Sequence, residues 1–272
     1  MNVNAPTPAY SGTMDVDEFM ELLQTRPDGE RWDLIEGVAI MMAPPSHAHQ
    51  RIVQNLCSLL NAAFAVRRSD LFAYPGLGVR TAGVRKVVVN VHYLADALEA
   101  HLATRAHGLE VVISDERGLL METGGGLVKA APLIDSDPFL ALNSDNLWID
   151  GPADTIKLLA SQWDEAKMDA LLLLVPQARA LNHRGMGDFH MDRAGRIRRR
   201  ERSRVAPFVF TGIQMVSKRL LRDAPEGPFS TNLLWDRAIG KKRLFGVVHQ
   251  GLWFDVGSPP NIRRTEELLG SA

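Results

Sequence analysis

The feature that most constrains this chain is an alternation that begins after Gly83. Lys86 to Val91 (K-V-V-V-N-V) is a β-branched run suited to a strand buried on both faces. The pattern predicts a helix from about Leu94 to Ala103 and a second strand over Leu109 to Ser114. A Gly-rich turn, Glu122-Thr123-Gly124-Gly125-Gly126, then leads into a short helix over Leu127 to Ala131. A third strand, Pro138 to Leu142, ends at Asn143-Ser144-Asp145, and a helix over Ile156 to Gln162 precedes a fourth strand, Asp169 to Val175. Strands alternating with helices predict βαβ units and an open, mostly parallel α/β sheet.

Beyond residue 180 the pattern turns antiparallel. Asp188 to Met191 and Arg196 to Arg200 flank the turn Asp192-Arg193-Ala194-Gly195 and read as a hairpin. Ala206 to Val216 is a further strand, and Ser230 is placed to cap a helix carrying Leu233, Leu234 and Ile239. A final pair of strands, Arg243 to His249 and Leu252 to Asp255, precedes a closing helix over Ile262 to Leu269. Upstream, Asp15 and Glu18 have the spacing of a reciprocal helix cap. Trp32 to Met42 reads as two short strands about Glu36-Gly37, and Ser46 caps a long helix with an apolar stripe through Ile52, Leu56 and Leu60.

Composition excludes several classes. Lys and Arg number 31 against 32 Asp and Glu, a net charge of -1, which argues against a protein that coats DNA or an anionic membrane. The single cysteine, Cys57, excludes a disulfide framework and a cysteine-based zinc site. The longest apolar runs are too short to span a bilayer, and Met1 to Ala9 has no basic segment followed by an apolar one. A cytoplasmic location is the expectation.

Two carboxylates stand out. Asp145 and Asp255 each fall just past the C-terminal end of a predicted strand, where open α/β sheets bind ligands. Hard oxygen donors there suit Mg²⁺, although Asp is also common as a turn former. The glycines Gly124 to Gly126 allow close approach of backbone to a ligand, and N–H groups at the start of a helix suit an anion or a base edge. A tight turn without a ligand explains the same residues. The basic run Arg196, Arg198, Arg199, Arg200, Arg202 and Arg204 is either a solvated hairpin face or a phosphate or nucleic-acid contact.

From about Thr81 onward these residues resemble the sugar 1-phosphate nucleotidyltransferases, in the branch of N-acetylmuramate 1-phosphate uridylyltransferase. The likeness is carried by V-V-N-V-H-Y-L-A-D (Val88 to Asp96), E-T-G-G-G-L (Glu122 to Leu127) and L-N-S-D-N-L-W (Leu142 to Trp148). It continues in G-D-F (Gly187 to Phe189), F-T-G-I-Q (Phe210 to Gln214), N-L-L-W-D-R-A-I (Asn232 to Ile239) and G-L-W-F-D-V-G-S-P (Gly251 to Pro259). The resemblance implies a Rossmann-like nucleotidyltransferase sheet. It implies that Glu122, Thr123, Gly124 and Gly125 lie against the nucleotide, that Asp145 and Asp255 hold Mg²⁺ for catalysis, and that Gly187, Asp188, Thr211 and Asn232 shape the sugar-phosphate pocket. The implied reaction transfers a nucleotidyl group, uridylyl from UTP, to a sugar 1-phosphate with release of pyrophosphate. The family's opening strand and Gly-rich loop, G-x-G-x-R-M-R-P-L-T, have no counterpart before Val84. The sheet is therefore expected to lack its first strand, and Val38 to Met42 is a candidate to fill that slot beside Val87 to Val91.

From about Thr13 to Val79 the chain instead resembles a restriction-endonuclease family with a PD-(D/E)XK-like core, through R-W-D-L-I-E-G-V (Arg31 to Val38), M-M-A-P-P (Met41 to Pro45) and H-Q-R-I-V (His49 to Val53). Asp33 or Glu36 matches its early acidic residue, and the later Pro-Asp and Glu-x-Lys elements have no match. The two resemblances meet near Ala82-Gly83-Val84-Arg85, as a gene fusion or deletion would leave them. The expected organisation is a small α+β nuclease-like fragment over residues 1–83 and a nucleotidyltransferase-like domain over residues 84–272. The alternatives to a transferase are a DNA endonuclease-like module and a non-catalytic nucleotide-binding remnant.

Overall fold

The structure is a computed structural model, and it describes Glu18, Leu22 and residues 31–35, 38–42, 72–74, 78–80, 85–105 and 109–270. The chain divides into two compact units, Met1–Val53 and Gln54–Ala272. In the first, Glu18 and Leu22 are helical, and β1 (Arg31–Ile35) and β2 (Val38–Met42) form an antiparallel hairpin. The long helix expected after Ser46 lies outside the described residues.

The first described elements of the second unit are the antiparallel pair β3 (Phe72–Tyr74) and β4 (Gly78–Arg80). A βαβ unit follows: β5 (Lys86–Val91), α1 (Ala95–Arg105) and β6 (Glu110–Asp115), with β5 and β6 parallel. Then come α2 (Glu122–Ala130), β7 (Phe139–Leu142), β8 (Asn146–Ile149), α3 (Thr155–Gln162), β9 (Ala170–Pro176), β10 (Ala180–Leu181), β11 (Phe189–Met191) and β12 (Ile197–Arg199). The chain closes with β13 (Phe208–Val216), α4 (Asn232–Gly240), β14 (Leu244–Val248), β15 (Leu252–Asp255) and α5 (Pro259–Gly270).

The central sheet has the order β12-β11-β13-β9-β14, with β7 also on β13. It is mixed: β9 and β14 are parallel, whereas β13 runs antiparallel to β7, β9 and β11. Strand β9 (A-L-L-L-L-V-P) is buried through Val175, which explains why its sequence is apolar without alternation. One face packs Ala170, Leu172 and Leu174 with Leu234, Trp235 and Ala238 of α4. The other packs Leu171, Leu173 and Val175 with Leu159 of α3, Trp148 and Trp253. The final two strands do not pair with each other. β14 joins β9, while β15 sits between β8 and β10 in a separate three-stranded sheet.

Strand β2 is in register with β1, from Val38 against Ile35 to Met42 against Arg31, and β6 is the one partner of β5 among the described residues. A hairpin closed by two residues costs little loop entropy. One expectation is corrected. The glycines Gly124 to Gly126 are not a turn before a helix but lie inside α2. Tertiary packing overrides their poor helix propensity, as the site shows.

Candidate active site

Asp145 and Asp255 arrive from two loops locked together by backbone. Val256 N–H donates to Asp145 O at 3.0 Å, one step beyond the β8–β15 ladder in which Asn146 faces Asp255. Gly257 N–H (2.9 Å) and Asn261 Nδ2 (3.3 Å) donate to Asp255 Oδ1, and Asn146 Nδ2 donates to Asp145 Oδ1 at 3.1 Å. The point where a Cβ on Gly257 would sit is 3.2 Å from Asp145 Oδ2 and 3.3 Å from Asp255 Oδ1. The two carboxylates therefore converge on one small space that only a residue without a side chain leaves open. That space and its hard oxygen donors fit a divalent cation such as Mg²⁺. Among the described residues no group of three His, Cys, Asp or Glu forms a metal cluster, so water and substrate oxygens would complete the shell.

The loop that carries Asp145 is placed by a bulge in β13. The register of β13 on β9 shifts between Phe210 and Gln214, and Gly212 in that bulge has φ +82°. Gly212 O accepts from Asn143 N–H at 2.8 Å, and a Cβ on Gly212 would collide with Asn146 Nδ2. A left-handed backbone and this approach both require glycine.

The first turn of α2 is built differently from the sequence expectation. Gly124 and Gly125 N–H both donate to Phe229 O, at 2.8 and 3.1 Å, so they are not presented to a ligand. A Cβ on Gly124 would lie 2.8 Å from Phe229 O and one on Gly125 2.5 Å from Gly227 O. The glycines thus let α2 pack on residues 227–229, leaving Glu122 and Thr123 as the positions of this turn that can meet a ligand. Glu122 sits at φ +60°, a strained conformation for a residue with a side chain, and Thr123 Oγ1 accepts from Thr231 N–H at 3.0 Å. Behind the turn, the buried Glu116 carboxylate accepts from Asn90 Nδ2 at 2.5 Å and from Met121 N–H at 3.1 Å. Asn90 Nδ2 also reaches Gly126 O at 3.2 Å, tying β5 to α2.

The four expected sugar-pocket residues divide. Gly187 has φ +77° and lies against Ala206 O. Asp188 accepts Phe210 N–H at 2.8 Å, and Arg200 Nε donates to Gly187 O at 3.0 Å. Thr211 is fully buried with its hydroxyl on Leu173 O at 2.9 Å, so it shapes β13 and does not face a ligand. Asn232 is exposed, and its Oδ1 accepts from Arg199 Nη2 at 3.1 Å. Arg199 lies 5.6 Å from the Phe189 ring and also pairs with Asp236. Part of the basic run is therefore structural: Arg199 and Arg200 hold the walls around Asn232 and Gly187.

Sequence reasoning missed Gly212, Gly257, Asn146, Asn261 and the Asn90–Glu116 pair. The signals were present in T-G-I and D-V-G-S, but a glycine in a strand or loop shows its neighbour only once the chain is folded.

Residues 16–113 match the Uma2 family, described as "Putative restriction endonuclease", a match that runs past Val84 through α1 into β6. The fold is similar to HddC from Yersinia pseudotuberculosis, with a TM-score of 0.54 and 20% identity over 69% of this chain and 80% of that one, a protein also solved with GMP-PN. An N-acetylmuramate alpha-1-phosphate uridylyltransferase of Neisseria meningitidis serogroup B is 28% identical over 71% of this chain and 82% of its own. Another, from Caulobacter vibrioides, is 38% identical over 194 residues, 70% of this chain and 80% of its own. With that identity and coverage, the chain belongs to the N-acetylmuramate alpha-1-phosphate uridylyltransferase family.

Proposed function

We propose that residues 84–272 bind UTP and a sugar 1-phosphate, of the N-acetylmuramate 1-phosphate type, and transfer the uridylyl group with release of pyrophosphate. The observation that carries this reading is the convergence of Asp145 Oδ2 and Asp255 Oδ1 on the open space at Gly257. Asp145 and Asp255 would hold Mg²⁺ there, and the ion would supply charge neutralisation at the phosphates. Each carboxylate is itself oriented by an Asn side chain. Glu122 and Thr123 contact the nucleotide, Gly187 and Asp188 form the floor of the sugar pocket, and Asn232 contacts the sugar phosphate.

The Gly-rich loop that cradles the triphosphate in the resembling family has no counterpart before Val84. Each absent transition-state donor costs about 2.7–4 kcal/mol, so turnover is expected to be slow while UTP binding persists. The test measures magnesium-dependent pyrophosphate release from UTP plus N-acetylmuramate 1-phosphate, alongside UTP binding. Neither release nor binding in a folded preparation would end this reading. The match over residues 16–113 favours a second reading, a nuclease-like module in the N-terminal part. Plasmid nicking abolished by Asp33→Ala or Glu36→Ala would establish it.

A further inference from the structure

A cavity of about 310 Å³ opens at the other end of the central sheet, lined by Asp169, Arg219, Arg222, Asp223, Arg237 and Lys241 over an apolar floor that includes Leu234. Its position follows from strand direction. Both β7 and β9 run antiparallel to β13 and so point the same way. Asp145 lies past the C-terminal end of β7, whereas Asp169 precedes the first residue of β9.

We propose that this cavity is a second binding site, for a small dianionic phosphate ester, separate from the carboxylate pair. The six ionisable lining groups are four cations and two acids. Asp169 is already neutralised: Arg219 Nε and Arg243 Nε donate to its Oδ1 at 2.6 and 2.7 Å. Two arginines fix the walls. Arg219 Nη2 donates to Glu165 O and Met168 O, each at 2.8 Å. Arg237 donates to Asp223 O, Leu220 O and Arg222 O at 2.7 to 2.9 Å, and its Nε is sealed from solvent without a hydrogen-bond partner among the described residues. Arg222 and Lys241 are exposed, and neither head group has a hydrogen-bond or ion-pair partner among the described residues. The site thus offers two uncommitted cations on preset walls, opposed by the Asp223 carboxylate alone. Its volume exceeds that of a single ion and suits a phosphorylated molecule of a few carbons. Guanidinium and ammonium groups recognise phosphate oxygens through charge-assisted hydrogen bonds.

The experiment uses the full chain in low salt with EDTA, and glycerol 3-phosphate as the probe, read by calorimetry. Binding is expected in the native chain and in Asp145→Ala. Arg222→Glu and Lys241→Glu are each expected to weaken it about tenfold, the scale of one charge-assisted contact. Asp223→Asn, which removes the opposing charge, is expected to tighten it. Because the three altered side chains are exposed, unchanged thermal unfolding without probe checks that each variant folds. Absence of binding up to about 10 mM, equal affinity in the charge-reversed variants, or loss of binding in Asp145→Ala would overturn the proposal.

Discussion

Asp145 and Asp255, far apart in sequence, face each other across the empty Cβ position of Gly257 and are joined by the bond from Val256 N–H to Asp145 O. Their backbones are fixed before any cation or substrate arrives, so ordering these loops costs little on binding. Asn146 donates to Asp145 Oδ1 and leaves Oδ2 toward the shared space, whereas Asn261 Nδ2 and Gly257 N–H hold Asp255 Oδ1, the oxygen that itself faces that space.

Gly257→Ala tests that space directly. The added methyl lies 3.2 and 3.3 Å from the two carboxylate oxygens, tighter than an ordinary contact, and occupies the position a cation needs. Gly257 is exposed, so folding stability should change by less than about 0.5 kcal/mol. Magnesium titration of UTP binding or turnover should show at least about tenfold weaker metal dependence. An unchanged titration would separate the carboxylate pair from the metal.

Gly124→Ala should destabilise the domain by about 1–3 kcal/mol, because its methyl collides with the Phe229 ring and lies 2.8 Å from Phe229 O. Gly118→Ala is the control, since among the described residues nothing lies within 4 Å of its Cβ position. Urea unfolding of the two variants measures the difference. Equal midpoints would refute the packing role assigned to the glycines of α2.

Asp169 is buried and receives two guanidinium groups, from Arg219 and Arg243. Burial pushes its carboxyl up, but the bonds from Arg219 and then Arg243 outweigh this and hold it below the ordinary carboxylate value. A depressed carboxyl contributes stability that is present above its unfolded value and is lost as pH falls through the folded value. Asp169→Ala should cost about 2–3 kcal/mol at pH 7, less than a fully buried pair because both arginines keep some contact with water. Denaturant unfolding from pH 7 down to pH 3 should show a shallower acid decline in the variant.

His249 behaves with the opposite charge logic but the same direction. Burial holds its imidazole below the ordinary 6.5, with Nε2 3.0 Å from Leu252 O and Nδ1 3.3 Å from Thr155 Oγ1. The unfolded chain therefore binds a proton that the folded chain refuses. Stability is full above pH 6.5 and declines below it, by at most about 1.4 kcal/mol per pH unit from this group. His249→Gln should flatten the melting temperature between pH 7 and 5. A profile identical to the native one would remove His249 as the source.

Much of the architecture is legible before folding. Lys86–Val91 and Leu252–Asp255 are strands over the spans their patterns predict, and the helix of Ile156 to Gln162 gains only Thr155, after its cap Asp154. Asn146–Ile149 is too short a run to distinguish a strand from a loop until β15 pairs with it. Thr211 lies in a matching motif, yet its hydroxyl is taken by Leu173 O, a partner set by how β13 lies on β9.

By itself, then, the sequence determined the α/β class, the apolar central strand, the carboxylates at strand ends and the family, because periodicity, residue chemistry and motif order are local properties. Tertiary structure alone decided that α2's glycines serve packing, that Gly257 opens the space between Asp145 and Asp255, and that a basic cavity forms below β9. Each of these depends on the distance between residues remote in the chain. That distance is fixed by strand register and by which side chain is missing where two backbones meet.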